Sequence, residues 1–488
     1  MPEFNASSQY NGQILRTSWG QRTQDYQNSR IAAISQQSND NGLQVLMDNL
    51  QMIENLNKFN REKIVERQLF AKGTGAHGYF ELSNDVSKYT RAKFLNGKSG
   101  KQTPIFARFS PSMINSKGFP DTVRDIKSFD IKFYTEDGNF DLMTQNSQVT
   151  FIRDAAKYPD FIHSQKNNPQ SNLKDYNSTW DFLSQTTESI NMLMRFYGAE
   201  FIPDGYQQMN TYGQHTYKWI NDKNEFTYVR YHLINNLGQN FFLIDEQAMD
   251  LFKDPDYFTS MLFNQISQGN FPTWTLKIQI MTQDDALKSK YDIFDSTKTW
   301  DAQLITVGNI VLNKNPQNNF AEVEQVAFNR GHFVDGIDSS GDRLLQGLIF
   351  MDQDSNLFRL GSNYDQIPIN KPYKVKQISY SRDGASSFTS NFGNSTNYYP
   401  NTLNGPIPDA SIKPALSTAS STPSTQKTYD DFTQASQLYK DMSKYQKEIL
   451  AQTLVKDLKQ VKKSIQQKAV DMFNKVDVDL GSSINNQL

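Results

Sequence analysis

A stretch near the start of the chain has the composition of a site entrance. Residues 65–81 read VERQLFAKGTGAHGYFE, in which an apolar triplet leads into a turn rich in small residues. Histidine is the side chain best suited to move a proton near neutral pH, and the one in this stretch is His77. Position 70, just before the turn, is a phenylalanine, whose ring can neither donate nor accept a proton. The frame of a reactive site is therefore present without a reactive group at its centre.

The histidines are weak candidates for proton transfer. His77 lies seven residues after Phe70, and in an extended strand an odd offset points to the opposite face, roughly 20 Å away. We interpret His77 as a structural histidine and extend this interpretation to His163, His215, His232 and His332. The chain has no cysteine, which excludes disulfides and thiolate ligands.

The composition limits the classes of partner. A chain of 488 residues predicts one large domain plus a smaller unit. The net charge of −2 gives no basic field, so we expect no nucleic-acid partner. No apolar run is long enough to predict a membrane span. The start lacks a signal-peptide pattern and the end, NNQL, is not an SKL-type peroxisomal signal. We therefore expect an intracellular protein, cytoplasmic or organellar.

Strand patterns dominate the middle of the chain. IFARFS, SFDIKFYT, FTYVRYHLI and TWTLKIQIM alternate apolar and polar residues with period two. EDGN between FDIKFYT and FDLM is a hairpin signal. Antiparallel strands in this number predict a closed barrel.

The patterns divide the chain into four predicted segments. These are an N-terminal arm at 1–64, the β-barrel at 65–305, a wrapping segment and linker at 306–428, and a C-terminal helical domain at 429–488. The helix pattern NGLQVLMDNLQMIENLNKF lies in the arm. In the last segment, Ser443 and Gln446 form a capping-box pattern. An apolar stripe follows at Leu450, Leu454, Leu458, Val461, Ile465 and Met472.

Several long phrases, in order, resemble the haem catalases of the animal-type, small-subunit class. They are ARFSPS at 107–112, RDIKSFDIKFYTEDGNFDL at 124–142, FIRDAAKYPDFIHSQKNNP at 151–169, GNIVLNKNPQNNFAEVEQVAF at 308–328 and RLGSNYDQIPIN at 359–370. The resemblance covers roughly residues 15–485. It implies an α+β catalase fold with a closed antiparallel barrel, a threading arm, a wrapping segment and a C-terminal helical unit. It also implies a homotetramer with buried haem.

The resemblance marks where the reactive residues of the family should stand. The distal histidine, which shuttles the peroxide proton, aligns with Phe70. The axial tyrosinate aligns with Asp352, and the arginine four residues earlier that keeps it ionised aligns with Leu348. We expect Asp352 to reach solvent or to pair locally. The acid–base group, the iron ligand and its activator are thus all replaced.

Other site positions are kept or altered. The distal asparagine aligns with Gln145, beside Asn146, and the serine that orients the distal histidine aligns with Ser110. Arg67, Arg108 and Arg359 align with the three arginines that pair with the haem propionates. Two interpretations of these arginines stay open. They form a surviving anion clamp, or they bond backbone carbonyls or acids and hold the mouth of the barrel.

The nicotinamide site of the family is also altered. A histidine expected before Met209 is Gln208, and a W-P-H phrase is replaced around Thr299, Trp300 and Asp301. We therefore do not expect bound NADPH.

These replacements predict a catalase-like pseudoenzyme. In this hypothesis the chain has lost haem binding and peroxide dismutation, holds no cofactor, and acts as a structural, assembly or binding protein. The alternative is a catalase or peroxidase that binds haem b with altered ligation and breaks down hydrogen peroxide. A third possibility is a different anionic amphiphile in the old pocket. In each case we expect a homo-oligomer, a tetramer or dimer, or a subunit of a larger assembly.

Overall fold

The computed structural model describes residues 12–23, 26, 50–112, 119–242, 244–412 and 429–488. The chain divides into two compact units, Met1–Glu66 and Arg67–Leu488. The first unit contains helix α1, Leu50–Phe59. The helix predicted in the arm includes this helix, and its part before residue 50 lies outside the described residues.

The second unit is built on an antiparallel sheet. Its strands and two short ones beside it are β1 Thr74–Leu82, β2 Gln102–Pro111, β3 Lys127–Thr135, β4 Gly138–Gln145, β5 Ile202–Pro203, β6 Thr211–Ile220, β7 Phe226–Asn235, β8 Phe241–Phe242, β9 Thr273–Met281, β10 Leu304–Lys314 and β11 Ile337–Asp338. The order β6-β4-β3-β2-β1-β10-β9-β7 closes because β7 pairs back onto β6. These eight strands form a closed barrel, and closure leaves no unpaired edge. The predicted fold class is confirmed.

Local sequence explains the strands. The predicted hairpin is confirmed, since β3 and β4 pair with Thr135 opposite Gly138. Gly138 has φ of 114°, which a residue with a side chain rarely adopts. Inward-facing aromatic side chains fill the barrel, and the rings of Phe109 and Phe129 stack with centroids 4.3 Å apart.

Helices lie between the strands and at the C-terminal end. The first group is α2 Tyr158–Gln165, α3 Tyr176–Gln185, α4 Ile190–Phe196, α5 Asp245–Met249, α6 Tyr257–Ser267 and α7 Gln283–Lys288. The second group is α8 Arg343–Leu360, α9 Thr433–Asp441, α10 Lys444–Leu458, α11 Lys463–Val476 and α12 Val478–Gln487. Over the described part of the chain, none of these helices is both long enough and apolar enough to cross a membrane.

A second apolar core joins the C-terminal helices to α3 and α4. The predicted stripe faces it, with Leu450, Leu454, Leu458, Val461 and Met472 buried and Ile465 packed against it. The predicted capping box is confirmed, because Ser443 caps α10 and Gln446 returns the hydrogen bond. Leu344 and Leu348 of α8 belong to the same core.

Helix α8 positions three residues of interest. Asp342 caps its N-terminus by accepting a hydrogen bond from the Leu345 amide at 2.9 Å. Positions 348 and 352 are one turn apart, and 352 and 359 are about two turns apart. Leu348, Asp352 and Arg359 therefore share one face of the helix.

Candidate functional site

The side chains of three arginines lie close together. Arg67 Nη2 donates to the Glu324 and Val326 carbonyls at 3.0 and 2.8 Å. Arg359 donates to the same two carbonyls at 2.6 and 2.9 Å. These carbonyls lie in and just after a π-helical turn at Phe320–Glu324, where the usual helical partners are missing. We call Arg67, Arg108 and Arg359 the arginine cluster.

The arginine cluster keeps spare donors and excess charge. Arg67 Nη1 lies 3.9 Å from a carboxylate oxygen of Glu324 and makes no hydrogen bond within the described part of the chain. Burial lowers the pKa of Arg67, and repulsion from Arg108 and Arg359 lowers it further against the attraction of Glu324. Burial, followed by repulsion from Arg108, lowers the pKa of Arg359 to about 10. One nearby anion would relieve this repulsion.

Arg108 also fixes the backbone of Phe70. Its Nη2 donates to the Phe70 and Ala71 carbonyls at 2.9 and 3.1 Å, and the Phe70 amide donates to the Ser112 carbonyl at 2.7 Å. Phe70 has φ of 60°, in the left-handed region. Such a conformation costs on the order of 1–3 kcal/mol and persists only where the surroundings enforce it.

An ion pair occupies another part of the site. Arg330 Nη1 donates to both carboxylate oxygens of Asp352, at 2.8 and 2.9 Å. The Arg330 amide donates to one of the same oxygens at 3.0 Å. The two side chains are only 10% and 14% exposed. Burial alone would lower the pKa of Arg330, but the combined attraction of Asp352 and of further acidic groups around it, including Asp130, outweighs burial and raises that pKa. We call Arg330 and Asp352 the floor pair.

A cavity of about 140 Å³ adjoins the floor pair through Arg330 and adjoins the arginine cluster through Phe70, whose carbonyl accepts from Arg108. Phe70 and Leu348 both line it, together with Arg330 and His215. Its remaining wall is mainly apolar, and the contributing residues include Leu69, Ile126, Phe151, Ile152, Phe161, Leu183, Leu193, Phe196 and Leu344. Apolar side chains thus take much of the space at both replaced positions.

A buried carboxyl lies between the arginine cluster and the floor pair. Asp130 stands opposite Arg108 across the β2–β3 ladder, and directly opposed side chains lie about 5 Å apart. Burial raises the pKa of Asp130 to about 7, while Arg330 and Arg108 oppose the shift. Asp130 can therefore change its charge near neutral pH.

The two predicted amides face different spaces. Gln145 lines the cavity beside Phe70. Asn146 instead bonds the Lys127 amide at 2.9 Å and the Phe201 carbonyl at 3.2 Å. Gln145 is the last residue of β4 and Asn146 is the first residue after it, so the two side chains are placed by different parts of the backbone.

Ser110 does not touch the side chain at position 70. Its hydroxyl donates to the Lys72 and Pro111 carbonyls. It therefore supports the turn that follows Phe70.

One histidine reaches the cavity. The ring of His215 bonds Asp342 through Nδ1 at 3.1 Å and lines the cavity wall. His77 bonds Glu322, His232 bonds Gln279 and His332 bonds Asp141. Three of the five histidines thus have polar partners away from the cavity.

The positions that resemble a nicotinamide site lie apart from this cavity. Trp300 is buried and donates to the Ile293 carbonyl at 3.2 Å, and the Thr299 amide donates to Gln434 at 3.0 Å. Met209 and Asn210 line a separate cavity of about 280 Å³.

Sequence reasoning missed the residues that complete the site. Arg330 lies 22 residues before Asp352 on an irregular loop. Asp130 reads as one letter of a strand pattern, although an acidic residue among the apolar letters of SFDIKFYT was a usable signal. Tyr158 also lines the cavity, and burial raises its pKa to about 12.

The chain matches known proteins over nearly its whole length. A family model described as Catalase matches residues 17–405, and one described as Catalase-related immune-responsive matches residues 424–488. The "Catalase" of Methanosarcina barkeri is 42% identical over 99% of this chain and 94% of that protein. The "Catalase-A" of Dictyostelium discoideum is 43% identical over 96% and 95%.

Solved structures of catalases also resemble this chain over nearly its whole length. A fungal catalase superposes with a TM-score of 0.91 at 35% identity, covering 99% of this chain and 97% of that one. Catalase A from Saccharomyces cerevisiae gives 0.86 at 35% identity, covering 97% and 99%. The fold and the extent of these matches define the class of protein as a catalase. This chain belongs to the catalase family.

The comparisons correct two expectations. The hypothesis of a pseudoenzyme that has lost haem and peroxide chemistry is wrong, because relatives at 42–43% identity over nearly the full length are named catalases. The expectation of no cofactor is wrong for the same reason, since membership of a haem-enzyme family points to haem. The alternative, haem with altered ligation, agrees better with these findings. Both expectations rested on three replaced side chains, although the rest of the chain keeps the catalase fold and sequence.

The residues fit one end of haem and not the other. The unpartnered Nη1 of Arg67, in a crowded cationic cluster, suits the carboxylates of haem. The iron end lacks a free ligand at position 352, because Asp352 is bonded to Arg330. A cavity near 140 Å³ is about the size of one that holds benzene, so a macrocycle requires side chains to move.

Proposed function

We propose that this chain is a haem-binding catalase or peroxidase with altered iron ligation that acts on hydrogen peroxide. Near-complete similarity to proteins named catalase supports the proposal. The observation that carries it is the arginine cluster, in which Arg67 Nη1 has no hydrogen-bond partner among the described residues. Like charges held together in a buried site are costly unless an anion joins them.

The cluster binds carboxylates in this proposal. Arg67, Arg108 and Arg359 each have a nitrogen that makes no hydrogen bond within the residues that the structure describes. Guanidinium groups hold carboxylates through charge-assisted hydrogen bonds. Binding would therefore raise the lowered pKa values of Arg67 and Arg359 toward their ordinary range.

Bound haem supplies the redox-active iron for reaction with peroxide. The chain's own contribution differs from the family pattern. Phe70 gives the cavity an apolar wall and cannot carry a proton, and Gln145 offers the nearest predicted amide. General acid–base catalysis contributes roughly 10²–10⁴-fold where a suitable group is present. We therefore expect slow peroxide turnover.

The first experiment measures haem uptake. The chain is expressed with a haem precursor, and Soret absorbance per chain is compared for wild type, Arg359→Met and Arg343→Met. Arg343 is the matched control, because it lies on the same helix with a 70% exposed side chain. We expect stoichiometric haem in wild type and in the control, and weaker binding in Arg359→Met. Equal uptake by all three, or no uptake by wild type, would contradict the proposal.

A second experiment tests the distal position. In haem-loaded protein, Phe70→His should raise oxygen release from peroxide by ten-fold or more, because an imidazole restores proton transfer. Phe70→Leu keeps the site apolar and serves as the control. A rate unchanged by the histidine would show that another group already moves the proton.

The assembly and segments remain part of the proposal. We infer a homo-oligomer, since the family resemblance implies one. We also keep the division into an arm, a barrel, a wrapping segment and a helical unit.

A further inference from the structure

The floor pair joins two elements that are distant in sequence. Arg330 comes from the irregular loop after β10, and Asp352 comes from the middle of α8. Three hydrogen bonds connect them, at 2.8, 2.9 and 3.0 Å, and one of the donors is a backbone amide. The backbone donor fixes the carboxylate even if the Arg330 side chain rotates. Such a contact is more specific than a surface ion pair.

The pair holds the carboxylate against other partners. Ligation of a metal by Asp352 would compete with charge-assisted hydrogen bonds to Arg330. It would also leave a buried guanidinium without its counter-charge, which is strongly unfavourable. Arg330 Nε already has no hydrogen-bond partner in the described part of the chain. The unpaired state of Arg330 would therefore have little local compensation.

The surroundings offer Arg330 no equivalent replacement. Asp130 is a second carboxyl whose charge acts on Arg330, but no hydrogen bond or ion pair joins the two side chains within the described residues. It stands opposite Arg108 on the neighbouring strand. Asp342 is engaged by His215 and by the start of α8. Among these carboxyls, Asp352 is therefore the one that hydrogen-bonds Arg330 directly.

We propose that Arg330 is a positioning residue that withholds Asp352 from the iron of any haem held by the arginine cluster. The inference rests on the proposed function and specifies its altered ligation. Asp352 then serves as an internal counter-ion and not as an axial ligand. Removing Arg330 frees the carboxylate and makes it available to the iron.

The test compares the spectra of haem-loaded variants. Ferric absorption and electron paramagnetic resonance spectra are recorded for wild type, Asp352→Asn, Arg330→Met and the double variant Arg330→Met/Asp352→Asn. We expect the first two to superimpose. Arg330→Met alone should shift both spectra, because a carboxylate joins the iron, and the double variant should return to the wild-type spectra. A purely structural role for Arg330 would not give a shift that depends on Asp352.

Controls separate folding from ligation. Asp354→Asn makes the same substitution two residues later on α8, at an exposed position, and should leave the spectra unchanged. Arg330→Lys retains the charge and loses the planar fork, so it provides a second variant if Arg330→Met does not fold. Its spectra should lie between those of wild type and of a carboxylate-ligated form.

The outcomes distinguish the inference from the proposed function. A spectral change in Asp352→Asn alone would show that Asp352 already binds iron and would overturn the inference, while haem binding itself would stand. Unchanged spectra in both Arg330 variants would also overturn it. A wild-type chain without any Soret band would contradict the proposed function and the inference with it.

Discussion

The arginine cluster and the floor pair place buried arginines in opposite electrostatic situations. In the arginine cluster, Arg67 and Arg359 share the same two backbone carbonyls and repel Arg108. In the floor pair, Arg330 faces a carboxylate that neutralises it. Carbonyl oxygens accept hydrogen bonds but carry no full negative charge. The carboxylate of Asp352 accepts hydrogen bonds and also carries a full negative charge.

This difference predicts that the arginine cluster contributes mainly to ligand affinity and the floor pair mainly to folding stability. A cluster with excess positive charge gains from an added anion, so its arginines should matter most when a ligand is bound. A neutralised pair gains nothing from an anion and is costly to break. The two groups therefore predict different responses to the same arginine-to-methionine substitution.

The largest expected effect breaks the floor pair. Arg330→Met leaves Asp352 buried without its partner and should lower the free energy of unfolding by about 3–5 kcal/mol. Arg359→Met should lower it by less than about 1 kcal/mol, because Arg67 already donates to the same carbonyls. Chemical denaturation of both variants measures the contrast.

A double substitution sharpens this result. Arg330→Met/Asp352→Leu removes both charges and should recover most of the lost stability. A double variant as unstable as Arg330→Met would show that packing of the arginine stem, and not its charge, stabilises the floor.

A smaller effect is expected at Asp130, whose carboxyl interacts with both Arg108 and Arg330. The folded-state pKa of Asp130 is about 7, above the ordinary value of about 3.9. Its stabilising contribution is therefore full below about pH 4 and is lost as pH rises through 7. Asp130→Asn removes this titration, so its stability relative to wild type should increase by about 2–3 kcal/mol between pH 5 and pH 8. Chemical denaturation at both pH values measures this difference. An equal stability difference at pH 5 and pH 8 would contradict the raised pKa of Asp130.

The smallest expected effect concerns the turn beside Phe70. Ser110→Ala removes the hydroxyl that donates to the Lys72 carbonyl and should cost about 1 kcal/mol. Thermal unfolding measures it. Haem content should not change, since the hydroxyl of Ser110 donates to the Lys72 and Pro111 carbonyls and not to the arginine cluster or the floor pair.

The sequence predicted the barrel well because strand signals are local. Alternation in TWTLKIQIM and the turn at Gly138 define β9 and the β3–β4 hairpin without long-range information. Helical spacing likewise placed Leu348 and Asp352 on one face of α8. Closure was predicted from the number of strand patterns, but the order of the strands was not, since no periodicity predicts which strands pair.

The site was predicted only in part. Phe70 and Leu348 line one cavity, and the resemblance had assigned both positions to the same haem site. The partner of Asp352 was not foreseeable, because Arg330 lies on an irregular loop and forms no sequence pattern with it. The functional prediction failed because three replaced residues were given more weight than the similarity of the rest of the chain to catalases.

The cap of α8 has a consequence for how this protein can vary. Asp342 both starts the helix and bonds His215 of β6, and so ties the rotation of the helix to the barrel wall. The helix spans about 27 Å and carries one residue of the floor pair and one of the arginine cluster. A one-residue slip would turn its face by about 100° and displace both residues together. The floor pair and the arginine cluster therefore depend on the same helical register. A substitution at position 352 or 359 is tolerated only if it leaves that register unchanged.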